Sequence, residues 1–253
     1  VANAEPRPGR ARFLELARRY PVVPLVAELT SETLTPYLVW ARLARSGRNP
    51  FLLESVEGGE QAARYSFAGA DPCAVVEVRG GEATVDGVLQ EGHPLEVLRR
   101  VAGWGEVAPV EGVPPFAGGA LGYLGYEAVR LVEAVPATGR DEDGLPDAWF
   151  GIYDGVVAVD HARQLLLLVV AVRVGSDPEA AWRRGLERLE RLERAVTRPG
   201  EESAPRPVPR AAGDPWAGWA AVPSPEAYLE AVRRAKEYIL AGDIFQAFIA
   251  MVW

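Results

Sequence analysis

Three polar residues around a predicted hairpin have types and spacing suited to chemistry. Glu54 and Ser55 directly follow the apolar run Phe51-Leu52-Leu53, and Arg64 opens the returning stretch Arg64-Tyr65-Ser66-Phe67. A carboxylate accepts from an ammonium, a hydroxyl donates or accepts, and a guanidinium receives a carboxylate in a planar fork. Together they would line a small polar pocket. The plainer reading makes them ordinary hairpin ends, with Glu54 and Arg64 as a weak surface pair.

Other reactive side chains are few. His93, His161 and Cys73 could in principle supply a nucleophile and base or part of a metal site. No local motif supports either role, and each histidine sits near a predicted turn or helix start, so a structural role is the better reading. Gly119, Gly122 and Gly125 recur every three residues in GGALGYLGYE. That spacing is not the dinucleotide fingerprint, and it suits close backbone packing, with Tyr123 and Tyr126 flanking an interface.

The elements that must position these groups follow from pattern. Residues 9–20 read as a short amphipathic helix and Val22 to Leu29 as a strand. Thr30 and Ser31 are possible caps for a helix through TPYLVWARLARSG, with Pro36 in its first turn. Residues 51–53 read as a buried strand, leading into a hairpin whose loop is longer than a two-residue turn. Ala74 to Val78 and Ala83 to Val85 form a second pair across Gly80-Gly81, and His93 to Val101 a helix. AWFGIYD, VVAVDHAR and LLLLVVAVRV suit successive antiparallel strands, with Asp160-His161 near the second turn.

Asp177 caps a helix that Pro178 opens and that repeats Trp182, Leu186, Leu189, Leu192 and Val196 at helical spacing. Residues 199–223 lack periodicity and are the linker candidate. Ser224-Pro225 starts a last helix with Gly242 as its stop, and DIFQAFIAMVW has strand character. Strands and helices without regular βαβ alternation favour an α+β fold with mainly antiparallel sheets. The expected division is an amino-terminal region, 1–198, the linker, 199–223, and the start of a further domain, 224–253.

Composition narrows the function. The 253 residues are 49% hydrophobic and 25% charged, enough for a packed core, and the net charge of −8 argues against a nucleic-acid surface. One cysteine excludes an intramolecular disulfide framework and a multi-cysteine zinc site. With no signal peptide or long apolar run in view, the cytoplasm is the default expectation.

LLESVEGGEQAARYSFAG, GGALGYLGYEAVR, the VVAVDH strand end and YLEAVRRAKEYILAGDIFQ together resemble component I of anthranilate synthase, a chorismate-utilising enzyme. The resemblance runs from about residue 20 to Gln246, in the family's order. It implies an amino-terminal β-rich regulatory region followed by the beginning of a chorismate-binding catalytic domain. In such enzymes a lyase reaction turns chorismate and ammonia into anthranilate and pyruvate with Mg²⁺. The ammonia comes from a glutamine amidotransferase subunit, component II, in a hetero-oligomer.

What the resemblance implies for the LLES segment is that it forms part of the family's feedback site for L-tryptophan. By resemblance Leu53, Glu54 and Ser55 match it, and Arg64 stands where some relatives carry a basic residue on the returning strand. The family's magnesium ligands, general-base histidine and chorismate-binding residues lie further on, so no catalytic or metal residue is assigned here and the chain alone is expected to be inactive. Two alternatives stay open: aminodeoxychorismate synthase component I, of the folate pathway, and a non-catalytic amino-acid-binding module.

Overall fold

The computed structural model describes residues 5–30, 34–54, 64–136, 144–198 and 220–251. The chain divides into two units, Val1–Gly200 and Glu201–Trp253.

Two antiparallel five-stranded sheets organise the first unit, so the fold is α+β as expected. The first sheet contains β1 (Val22–Thr30), β2 (Phe51–Leu53), β3 (Tyr65–Gly69), β9 (Gly155–Asp160) and β10 (Leu165–Arg173), in the order β1-β10-β9-β3-β2. β9 and β10 are apolar on both faces because both faces are covered. Three helices cover one face: α1 (Arg10–Leu16), α2 (Pro36–Ala44) and α4 (Pro178–Thr197). Phe13, Val39, Trp182, Leu189 and Val196 from these helices meet Leu25, Val157, Leu168 and Val170. On the other face Val26, Phe51, Tyr153, Val156 and Leu167 form a second core that Phe67 and Phe116 join. Tyr153 is buried there and its hydroxyl donates to the Asn49 carbonyl at 2.7 Å.

The second sheet contains β4 (Ala74–Arg79), β5 (Glu82–Val85), β6 (Val88–Gln90), β7 (Gly119–Leu124) and β8 (Ala148–Tyr153), in the order β6-β5-β4-β8-β7. Helix α3 (Pro94–Ala102) packs Val97 against Val76, Val78 and Ala83. His93 caps it, with its side chain accepting from the Leu95 amide. After β7 a 3₁₀ turn follows, Tyr126–Leu131.

Several expectations shift. The three apolar runs from residue 148 are antiparallel strands as expected, but they do not share one sheet. Only Asp154 separates β8 from β9, and across it the chain passes from the second sheet to the first. Periodicity reports that a run is a strand but not which sheet edge it joins. Helix α2 is capped by Thr35, whose hydroxyl accepts from the Leu38 amide at 3.2 Å, while Thr30 ends β1 and Ser31 lies outside the described residues. β6 was not expected. Leu53 is not buried but 41% exposed, because it ends an edge strand at the sheet's margin.

The second unit holds α5 (Pro225–Ala241). The Ser224 hydroxyl accepts from Ala227 at 3.3 Å, and Gly242 ends the helix at φ 82°. Residues 243–251 form no strand, since β character becomes a strand only against a partner edge and none of the described strands pairs with them. Of the expected linker, residues 199–219 lie outside the described residues. Among the described residues no helix is long and apolar enough to cross a membrane.

Candidate functional site

The antiparallel register gathers five strand ends at one margin of the first sheet. Thr30 of β1 lies opposite Leu165 of β10, Leu165 opposite Asp160 of β9, and Asp160 opposite Tyr65 of β3. Leu53 of β2 lies opposite Phe67. Glu54 leaves this margin on one side of the hairpin and Arg64 enters it on the other.

Asp160 organises the margin. Its side chain is fully buried and receives the Arg64 fork, Nε to Oδ1 at 3.2 Å and Nη2 to Oδ2 at 2.8 Å. Oδ1 also accepts from the Ala162 and Arg163 amides at 3.1 and 3.2 Å, in the turn that follows β9. Burial pushes the Asp160 carboxyl up. The Arg64 fork and the two amides outweigh it and hold the group below the usual carboxylate range. The same hydrogen bonds raise the Arg64 guanidinium, which also lies over the Tyr65 ring at 4.8 Å. Beside this pair Glu28 accepts from Arg7 and from Arg163, the latter at 3.3 Å.

His161 continues the same strand end. Its Nε2 and the Ser66 hydroxyl are 2.8 Å apart, and its amide donates to the Arg64 carbonyl at 2.9 Å. A serine beside an imidazole suggests nucleophilic catalysis, yet Ser66 is 3% exposed and no carboxylate among the described residues orients the ring. The pair therefore pins β3 to the turn after β9. His93 is likewise structural: Nδ1 accepts from Leu95 and Nε2 lies 2.7 Å from the Leu131 carbonyl, to which it donates. Cys73 is a free, exposed thiol. Among the described residues no three His, Cys, Asp or Glu side chains converge as a metal site requires.

Of the four residues singled out, Leu53 and Glu54 are exposed at this margin, Arg64 is half-exposed, and Ser55 lies outside the described residues. The plain Glu54–Arg64 pair does not form. Arg64 turns instead to Asp160, ninety-six residues further along the chain, because a buried carboxylate demands a counter-charge and a solvated one does not. The residues missed were thus Asp160 as the anchor and Glu28 with Arg163 beside it. The signal for Asp160 was an acid closing the wholly apolar run VVAV. Two of the three glycines singled out serve close packing: a Cβ on Gly122 would lie 1.9 Å from the Trp149 carbonyl oxygen and one on Gly125 3.0 Å from that of Asp147, whereas at Gly119 the nearest atom would be 4.0 Å away and the φ of 133° is what favours glycine. Tyr123 and Tyr126 are exposed within this unit and flank no interface in it.

A family model described as chorismate binding enzyme matches residues 48–252. The chain belongs to the chorismate-binding enzyme family. Relatives of this chain include anthranilate synthase component 1 of Streptomyces coelicolor, 36% identical over 96% of this chain and 45% of that protein. The Thermus thermophilus protein of the same name is 39% identical over 86% of this chain and 44% of its own length. The chain thus spans about half the length of the curated relatives it matches. A crystal structure of anthranilate synthase component I from Streptococcus pneumoniae TIGR4 shares the fold. It has TM-score 0.52 and 20% identity, over 85% of this chain and 46% of that one.

Proposed function

We propose that this chain supplies the amino-terminal, regulatory part of anthranilate synthase component I. The intact enzyme would form anthranilate and pyruvate from chorismate and ammonia, the ammonia delivered by a glutamine amidotransferase subunit. Mg²⁺, when bound, would neutralise the substrate's negative charge from ligands outside the described residues. The observation that carries the reading is the match of residues 48–252 to the family, joined to relatives named anthranilate synthase component 1 at 36% and 39% identity.

The regulatory role falls to the sheet margin as a pocket for L-tryptophan, lined by Leu53, Glu54, Ser55 and Arg64. Three features support it. Glu54 makes no ion pair among the described residues and is exposed, so its carboxylate is open to an ammonium. Arg64 spends Nε and Nη2 on Asp160, leaving the Nη1 edge to donate to a carboxylate from a fixed position. Leu53 and Phe67, paired across the hairpin, offer apolar surface to an indole.

In the full-length enzyme, Glu54→Ala or Ser55→Ala should weaken tryptophan inhibition roughly ten- to a hundredfold, the loss of one hydrogen bond to a charged ligand group. Uninhibited turnover should be largely kept, because weaker binding only reduces the shift toward the less active state. Inhibition curves beside uninhibited rates decide the matter. Unchanged tryptophan sensitivity in both variants would return these residues to plain hairpin ends.

A further inference from the structure

A cluster of like charge lies away from this margin, between α2 and α4. There a cavity of about 920 Å³ opens between the end of α2 and one side of α4. Arg42, Arg45 and Arg48 reach it from α2 and the loop beyond. Arg188, Arg191 and Arg194 recur along α4 at steps of three, on one face of the helix, and Arg198 follows at its C-cap. A single carboxylate, Asp71, shares the lining, and it accepts from the Arg48 amide at 2.8 Å. The floor is apolar, with Leu43, Ala70 and Leu192.

Not all these arginines are equivalent. Arg188 braces the wall, donating to Asp154 at 3.2 Å and to the Ala70 and Asp71 carbonyls at 3.2 and 2.9 Å. Arg42 donates to the Val196 carbonyl at 2.6 Å and so joins the two helices. Arg45, Arg48, Arg191, Arg194 and Arg198 are exposed and form no ion pair among the described residues. Cations near helix ends are favourable, which accounts for Arg194 and Arg198 at the end of α4. It does not account for Arg191 further inside, nor for five unpaired like charges converging on one cavity in a chain of net charge −8. Like charges held together repel, and a multiply charged anion relieves that repulsion.

We propose that this cleft binds a phosphorylated small molecule carrying several negative charges. Guanidinium forks match phosphate oxygens in pairs, and the two braced arginines hold the walls that present the other five. The volume is that of a small-molecule site, and the apolar floor leaves room for an uncharged body beside the phosphates. This site is independent of the tryptophan reading, and neither requires the other.

Calorimetric titration of the full chain at fixed ionic strength tests it, with pyrophosphate and ATP as probes and citrate as a carboxylate of similar charge. Saturable one-to-one binding of a phosphate probe, at least tenfold tighter than citrate, is expected. The double variant Arg45→Gln/Arg191→Gln should weaken it about tenfold or more while keeping the wild-type melting curve, since neither side chain has an internal ion pair to lose. Arg12→Gln on α1, remote from the cleft in sequence and paired with Glu15, should bind as wild type does. No saturable binding, equal binding of citrate, or binding untouched by the double variant would each overturn the proposal.

Discussion

Asp160 is a carboxylate with no access to water, kept charged by four donors, one guanidinium fork and two amides. Asp160→Asn keeps the shape and removes the charge that these donors were arranged to meet. Arg64 is 40% exposed, so solvent screens the direct attraction and the hydrogen bonds carry most of the loss. Urea denaturation of the variant should show a loss of about 1.5–3 kcal/mol at pH 7. The pH dependence has a definite sign. Because the folded-state carboxyl lies below its ordinary value, the unfolded chain binds more protons as acid is added. The contribution is therefore full above the unfolded pKa, about 4, and is lost as pH falls through the depressed folded one. The stability gap between wild type and Asp160→Asn should hold from pH 8 to 5 and close in stronger acid. A gap that instead widened below pH 4 would mean that the carboxylate is not the source.

Two glycines show how elements are fitted together. On Gly122 in β7 a Cβ would meet the Trp149 carbonyl oxygen at 1.9 Å and the Phe150 Cα at 2.7 Å, both backbone atoms of the neighbouring strand. Nothing there can rotate aside. On Gly185 in α4 a Cβ would meet Val172 Cγ2 at 2.6 Å and Leu25 Cδ1 at 2.8 Å, which are side-chain methyls able to shift. Alanine also gains about 1 kcal/mol of helix propensity over glycine at that position. Gly122→Ala should therefore cost about 3 kcal/mol or more, near the upper end for overpacking, and free the β7 amides to exchange. Gly185→Ala should cost roughly 0–2 kcal/mol. Hydrogen exchange on β7 and thermal melts of both variants compare the two. Equal losses would show that β7 and β8 do not pack as closely as their backbones indicate.

At the scale of the molecule, the described residues contain a polar sheet margin and an arginine cleft but no converging metal ligands. Both histidines are committed to structural hydrogen bonds. The purified 253-residue chain should therefore release no anthranilate when given chorismate, ammonium and Mg²⁺. Anthranilate fluorescence reads this directly, and turnover above a no-protein control would require a catalytic centre among these residues. That expectation agrees with a chain spanning about half of its relatives' length.

Local signals in the sequence specified what local hydrogen bonds could enforce. Asp177 and Pro178 open α4, Ser224 and Pro225 open α5, and Gly242 closes it, because caps and left-handed stops act within three or four residues. The hairpin around residues 51–69 and the membership of the chorismate-binding family were legible for the same reason, being carried by contiguous segments. Tertiary structure decided whatever depends on partners far along the chain. It sent β8 and β9, one residue apart, to different sheets, and left residues 243–251 without a strand. It put Asp160 under Arg64, ninety-six positions away, and faced the arginines of α2 with those of α4. No spacing rule encodes these meetings. They follow from which apolar faces exclude water together, and that competition is settled only when the whole sheet has formed.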